Sequence, residues 1–145
     1  MTKVVVICMV VLYMVLPGVS AAGSLTDNGN GTVTDSGTLL TWQQGESSAM
    51  TWEAALTYCE GLSLAGSTDW RLPNHKELLS LVDYTRYNPS INTTFFPSAI
   101  SSVYWSSTTD AFNTSYAWSV NFYFGGSYNY VKTISDYVRC VRGGQ

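Results

Sequence analysis

The first clear pattern of hydrophobic positions in the chain has the period of a helix. In the segment MTWEAALTYCEGL, residues 50–62, apolar side chains recur at spacings of three and four and so share one helix face: Trp52, Ala55, Leu56 and Cys59. Thr51 is a residue type that caps helix N-termini, and Gly61 is suited to end the helix. The pattern therefore predicts a first helix between Thr51 and Gly61, with Cys59 on its buried face.

A second helix is predicted in the segment DWRLPNHKELLSLVDY, residues 69–84. Pro73 precedes Asn74, which is a preferred N-cap, and Glu77 stands three residues after Asn74, as in a capping box. Three aliphatic residues supply the buried face: Leu78, Leu79 and Val82. Both predicted helices therefore lie before residue 84.

Alternation of apolar and polar residues replaces the helical period later in the chain. Strands are predicted at four places: residues 103–108, 116–122, 127–133 and 137–142. An earlier β-hairpin is predicted from residues 32–35 to 38–42, across a turn that contains Gly37. In the strand at 116–122, one face is apolar and the other carries Ser119 and Asn121. We expect an α+β fold whose mainly antiparallel sheet is formed largely by the later strands.

The first 21 residues have the layout of a secretory signal peptide. Lys3 is followed by an apolar run at residues 4–16, and small residues then lead to a cleavage site after Ala21. The run of about thirteen residues is short for a bilayer core of ~30 Å. We therefore expect an exported protein, in the periplasm, the medium or on the cell surface, with one domain at residues 22–145 and no membrane span. An uncleaved anchor is the alternative.

Two cysteines remain after the predicted cleavage, Cys59 and Cys140. An even number of cysteines in an exported chain favours a disulfide, and two cysteines allow a single pairing. Cys59 lies on the inward face of the first predicted helix, and Cys140 lies in an apolar strand. We expect the two to be bonded; two buried free thiols are the alternative.

Charge and candidate catalytic groups exclude several classes of function. The chain has 7 Lys and Arg against 10 Asp and Glu, without a basic stripe, so we expect no nucleic-acid partner. The single histidine, His75, falls at the first position of the second helix, where we expect it to be exposed and not catalytic. With both cysteines bonded, too few ligands remain for zinc. We expect no metal, no cofactor and no enzymatic activity.

The segment NFYFGGSYNY, residues 121–130, is rich in aromatic residues and has no charge. The charge-free stretch extends from Ala111 to Val131. Tyr provides large amphipathic contact area at low entropic cost, and Ser, Gly and Asn provide adaptable hydrogen bonds, as in antibody loops. This composition favours a binding surface, although tyrosines that merely pack together would give the same composition.

Several motifs together resemble the Lcl C-terminal domain family: GTVTDSGTLLTWQ, Trp52 with Ala55 and Tyr58-Cys59, DWRLPNHKEL, YWSST, Ala117-Trp118 and YVRCVRGGQ. The resemblance implies a C-type-lectin-like fold, in which two helices brace a small twisted sheet and a disulfide ties the first helix to the last strand. Calcium-binding lectins of that fold carry Glu-Pro-Asn or Gln-Pro-Asp together with Trp-Asn-Asp. Here Tyr87-Asn88-Pro89 is present and Trp-Asn-Asp is not, so calcium-dependent sugar binding is not implied.

The C-terminal segment also resembles the variable region of proteins that a retroelement diversifies by mutating adenines of a template copy. Asn codons then become codons for a limited set of residues, and many positions here belong to that set. We predict that these positions form one surface for a protein or glycan ligand on a cell, phage or host surface: Asp110, Ala111, Phe112, Asn113, Ser115, Tyr116, Ser119, Tyr123, Phe124, Ser127, Tyr128, Asn129, Tyr130, Ile134, Ser135 and Asp136. Two alternatives are a structural domain of the cell envelope and, less favoured, a hydrolytic enzyme.

Overall fold

A computed structural model describes residues 23–144, and the predicted signal peptide at residues 1–21 lies outside the described residues. The elements follow in this order: β1 (Leu25–Asp27), β2 (Thr32–Asp35), β3 (Leu40–Gln43), α1 (Trp52–Glu60), α2 (His75–Leu79), β4 (Val103–Thr109), β5 (Tyr116–Asn121), β6 (Gly126–Val131) and β7 (Val141–Gly143). Within this described part, no helix is long and apolar enough to cross a membrane. Both helices precede residue 84, as predicted.

The strands form two antiparallel sheets, with the orders β1-β2-β3-β7 and β4-β5-β6. The predicted α+β class is therefore confirmed, and the more specific C-type-lectin-like description stays a prediction. The sequence predicted one sheet, formed mainly by later strands. Two sheets form because the predicted hairpin of β2 and β3 recruits β7 from the C-terminus, where Val141 pairs with Trp42.

The two helices cover opposite faces of the sheet β4-β5-β6. Neighbouring residues of a strand point to opposite faces, so Trp105 and Tyr104 of β4 lie on different sides. Trp105 packs in one cluster with Ala55 and Cys59 of α1. Tyr104 packs in a second cluster with Leu78 of α2. Both faces of this sheet are consequently buried near its centre.

The disulfide between Cys59 and Cys140 is present, with the two Cα atoms 5.5 Å apart. It joins α1 to the residue immediately before β7, whereas the sequence placed Cys140 within the last strand. Both cysteines are fully buried. The prediction that these cysteines are bonded is confirmed.

The second helix begins with the capping box that the sequence predicted. The Asn74 side chain accepts a hydrogen bond from the Glu77 backbone N–H, and the Glu77 carboxylate accepts one from the Asn74 backbone N–H. The same carboxylate binds both terminal nitrogens of Arg71 at 2.8 Å. The motif DWRLPNHKEL therefore fixes where α2 starts and so places His75 beside β5.

Candidate ligand-binding surface

The predicted surface positions differ in their exposure. Eleven of the sixteen residues are exposed: Ala111, Phe112, Asn113, Ser115, Tyr123, Phe124, Ser127, Tyr128, Asn129, Ile134 and Ser135. Tyr116 and Tyr130 are half-buried, and Asp110, Ser119 and Asp136 are buried. Most of the set is therefore accessible to a ligand, and its binding role stays a prediction.

The prediction that Ser119 lies on the surface is wrong, because this side chain is 0% exposed. Ser119 pairs with Trp105 of β4 and with Tyr128 of β6, and directly paired residues share one face of a sheet. On this face Trp105 and Ala117 belong to the core cluster that contains α1, and Asn121 is half-buried. The hydroxyl of Ser119 has no hydrogen-bond partner among the described residues.

Two buried carboxylates also depart from the predicted surface. Asp110 accepts hydrogen bonds from the Phe112 backbone N–H and from the Asn129 side chain, and these bonds lower its pKa. Asp110 therefore ties the loop between β4 and β5 to β6. Burial raises the pKa of Asp136 to about 6, and its Oδ2 lacks a partner among the described residues. Neither carboxylate is well placed to contact a ligand directly.

Strand β6 divides the predicted site between two faces. Tyr128 and Tyr130 pair with Ser119 and Ala117, on the face that α1 covers. Ser127 and Asn129 lie on the opposite face, because side chains alternate along a strand. The predicted single surface is therefore two surfaces that meet at the edge formed by β6.

The tyrosine-bearing face continues into a row of five aromatic rings, which we call the aromatic row: Tyr87, Tyr123, Phe124, Tyr128 and Tyr130. Successive ring centroids along this row are 4.8, 6.2, 6.0 and 6.1 Å apart. The rings of Phe124 and Tyr128 close over Gly126, where any Cβ would collide with them. Contact between neighbouring rings therefore extends from one end of the row to the other.

Most of the aromatic row is open to solvent. Tyr87 is 65% exposed, and Tyr123, Phe124 and Tyr128 are 38%, 43% and 42% exposed. Tyr130 differs, because it packs partly against the core cluster that contains α1. The row thus has a free end at Tyr87 and an anchored end at Tyr130.

Sequence reasoning missed Tyr87, which lies far from the hairpin along the chain. The backbone N–H of Asn88 donates to the Tyr123 carbonyl at 2.9 Å, and that of Ser90 donates to the Phe122 carbonyl at 2.6 Å. These bonds hold the segment with Tyr87 against the hairpin between β5 and β6. The signal in the sequence was weak: an exposed Tyr before Asn-Pro, in a segment without helical or strand periodicity.

The opposite face of β6 brings His75 next to the predicted positions. Its ring centroid lies 5.3 Å from that of Trp118, and its Nε2 lies 2.9 Å from the Ser127 hydroxyl oxygen. His75 is half-buried rather than exposed as the sequence predicted, and burial lowers the pKa of its ring. In the part of the chain that the structure describes, no group of three or more His, Cys, Asp or Glu side chains could hold a metal ion.

A family model for the Lcl C-terminal domain matches residues 31–142. The chain belongs to the Lcl C-terminal domain family. The matched range contains both helices, both cysteines and the whole aromatic row of this Lcl C-terminal domain. Family membership is consistent with a surface or binding module, and the buried disulfide is consistent with export. No curated protein matches the chain.

Proposed function

We propose that this Lcl C-terminal domain is an exported ligand-binding module without enzymatic activity, and that its ligand contacts the aromatic row. The observation that carries the proposal is the exposure of Tyr87, Tyr123 and Tyr128 in one contiguous row. Large exposed aromatic groups are costly to leave in water and are enriched at the energetic centres of protein interfaces. Because residues 111–131 carry no charge, a ligand can approach the four rings of the row that lie in this segment without stripping water from ions there; Tyr87, at the other end, follows Arg86.

The geometry of the row favours a protein ligand over a glycan. Sugar rings stack on the flat faces of aromatic side chains, so a glycan site needs a platform of faces. Here successive rings are inclined at 69°, 83° and 89°, and only Tyr128 and Tyr130 come closer to parallel, at 31°. A ridge of alternating edges and faces suits the irregular side chains of a protein surface, where edge-to-face contacts are favourable.

We also propose that a retroelement diversifies the exposed candidate positions of the C-terminal segment. Support comes from the contrast between exposed candidate positions, such as Tyr123 and Asn129, and the buried framework residues Val120, Phe122 and Val138. Sequencing of the genomic neighbourhood tests this directly. We expect a near-identical template repeat with Asn codons at the candidate positions, beside a reverse transcriptase gene. A neighbourhood without either would remove the diversification proposal and leave the binding proposal intact.

Binding is tested by the attachment of fluorescently labelled protein to intact cells and to a glycan array. We expect the variant Tyr123→Ala/Tyr128→Ala to stay folded and to lose attachment, because both rings are exposed and neither belongs to a core cluster. The control is Leu39→Ala, which removes a 75% exposed apolar side chain from the turn between β2 and β3, outside all the candidate positions. Unchanged attachment of the double variant, or equal losses in both variants, would refute the proposed site.

Treatment of the target cells distinguishes the class of ligand. Attachment that protease treatment of the cells abolishes, and periodate oxidation does not, identifies a protein ligand as proposed. The reverse result, with binding on the glycan array, would identify a glycan. Absence of attachment to any cell would instead support a structural role in the cell envelope.

A further inference from the structure

The two sheets have four outer strand edges, and the described chain protects three of them. The outer edge of β4 is covered by Tyr137, whose backbone bonds to Val103 and Trp105. The outer edge of β7 is covered by Arg71, which exchanges both backbone hydrogen bonds with Val141. The edge of β1 is only three residues long and ends at the charged Asp27. Covered, short and charged edges are the usual means by which proteins prevent unwanted strand pairing.

The edge of β6 has none of these protections. This strand has six residues, GSYNYV, with no charge and no proline, and it pairs with β5 without a register shift. Ser127, Tyr128 and Asn129 at its middle are all exposed. A long, regular, neutral edge of this kind is a template for pairing with another strand.

The register shows which backbone groups this edge presents. The Lys132 N–H bonds to the Ser115 carbonyl, at the end of the ladder between β5 and β6. Hydrogen-bonded and non-hydrogen-bonded pairs alternate along an antiparallel ladder, so the backbones of Tyr130, Tyr128 and Gly126 face β5. Those of Ser127, Asn129 and Val131 face outwards. Neither Ser127 nor Asn129 bonds its backbone to any other described segment.

We propose that β6 pairs with β6 of a second copy of this chain, antiparallel and around a two-fold axis at Asn129. In this register Asn129 faces Asn129 of the other copy, and Ser127 faces Val131. Asn129 then exchanges both backbone hydrogen bonds with its copy, and the Val131 N–H donates to the Ser127 carbonyl of the other strand. The Val131 carbonyl already accepts from the Ile134 N–H of its own chain at 3.2 Å, so its second lone pair receives the Ser127 N–H. The sheet β4-β5-β6 becomes continuous across the two copies.

Side chains of β6 are complementary to themselves in this register. Tyr128 of each copy lies opposite Tyr130 of the other, in the non-hydrogen-bonded positions where side chains approach most closely. Cross-strand aromatic pairs stabilise antiparallel sheets. The strand has no charged residue that would be repelled by its own copy. A two-fold interface requires this kind of self-complementary patch.

Pairing of β6 does not depend on the proposed ligand. It would place two aromatic rows side by side, because Tyr128 and Tyr130 stand perpendicular to the sheet and keep their outer surfaces free. A partner with repeated epitopes would then be bound by two linked sites, and its apparent affinity would rise. Asn129→Pro alters no side chain of the aromatic row, so this variant separates self-pairing from ligand binding in experiment, whereas Tyr128→Ala affects both.

The oligomeric state of the purified exported chain tests the proposal, measured by sedimentation velocity over a concentration series. We expect a dimer for the natural chain and for Asn129→Ala, which loses the bond to Asp110 but keeps the outward N–H. We expect a monomer for Asn129→Pro, since proline removes that N–H and is tolerated where the N–H faces out of an edge. The proposal would be overturned if the natural chain is monomeric at every soluble concentration. This includes the case in which β6 pairs with a strand of a different protein. So would a dimer that persists in Asn129→Pro.

A cross-linking experiment keeps the test decisive if Asn129→Pro does not fold. The two native cysteines of the described domain are bonded to each other, so a new cysteine is the reactive thiol there. Directly opposed residues of an antiparallel pair have Cα atoms roughly 5.5 Å apart. We expect Asn129→Cys to be joined efficiently to a second copy by a short thiol-reactive cross-linker, and the exposed control Asn113→Cys to be joined poorly. Equal yields at both positions would indicate random collision and contradict the proposed register.

Discussion

Ser119 offers a sharp test of which positions in the C-terminal segment tolerate variation. Its side chain is 0% exposed and lies between Trp105 and Tyr128 on the covered face of β5. Replacing it with tyrosine, one of the residues that diversified Asn codons encode, inserts a phenol ring where Trp105 already fills the space. Overpacking of a closed core costs about 1–3 kcal/mol and sometimes more. Because the ring is large, we expect Ser119→Tyr to lower the free energy of unfolding by at least about 3 kcal/mol.

Two matched variants separate size from polarity at this position. Ser119→Ala removes a buried hydroxyl that has no partner among the described residues, so we expect it to raise the free energy of unfolding by up to about 1 kcal/mol. Ser115→Tyr adds the same ring to an exposed loop position and should change stability by no more than about 0.5 kcal/mol. Urea unfolding followed by tryptophan fluorescence measures all three. An unchanged midpoint for Ser119→Tyr would show that β5 yields to large side chains and that burial does not limit variation.

Three further predictions concern stability and its pH dependence. Cys140→Ala should lower the free energy of unfolding by roughly 4.5 kcal/mol on the chain-entropy relation, given the sequence separation of 81 from Cys59, and the loss is measured by urea unfolding. Glu46→Gln leaves the guanidinium of Arg139, which is 1% exposed, without its counter-charge, and calorimetry should show a loss of about 3–5 kcal/mol. The folded-state pKa of Asp136, about 6, lies above its unfolded value of about 3.9. The contribution of Asp136 to the free energy of unfolding is therefore complete below about pH 4 and is lost as the pH rises through 6. Asp136→Asn should abolish that decline, of roughly 2–3 kcal/mol, in unfolding curves recorded from pH 4 to 8. An identical decline in the variant would contradict the assignment.

Local patterns in the sequence predicted the elements well, because their causes are local. Helical spacing predicted α1 between Thr51 and Gly61, and the structure has it at Trp52–Glu60. Thr51 is the N-cap residue as predicted, although its side chain makes no capping hydrogen bond. The Asn74 capping box predicted the start of α2 for the same reason. The pairing of Cys59 with Cys140 was predictable because only these two cysteines follow the predicted signal peptide, so a single pairing is possible. Each of these inferences needed only neighbouring residues or a count.

The candidate site was predicted less well, because its geometry depends on distant segments. Exposure of Ser119 depended on its cross-strand neighbours Trp105 and Tyr128, which no local pattern records. The position of Tyr87 depended on backbone hydrogen bonds between its segment and the hairpin. His75 was predicted to be exposed because its helix position is usually exposed, but β5 brings Trp118 against it. Periodicity describes which side of an element is apolar and leaves open what lies on either side of it.

The backbone beneath the aromatic row explains how its side chains could vary without loss of the fold. Val120 and Phe122 fix the hairpin in the core, and Phe122 also accepts a hydrogen bond from the backbone of Ser90. Tyr123 and Phe124 follow directly on this anchored base, but they lie outside the ladder between β5 and β6. Substitutions there change the contacts offered to a ligand and leave the pairing of the strands untouched. A rigid base of this kind also reduces the conformational entropy that is lost on binding, so affinity depends on which side chains the hairpin presents.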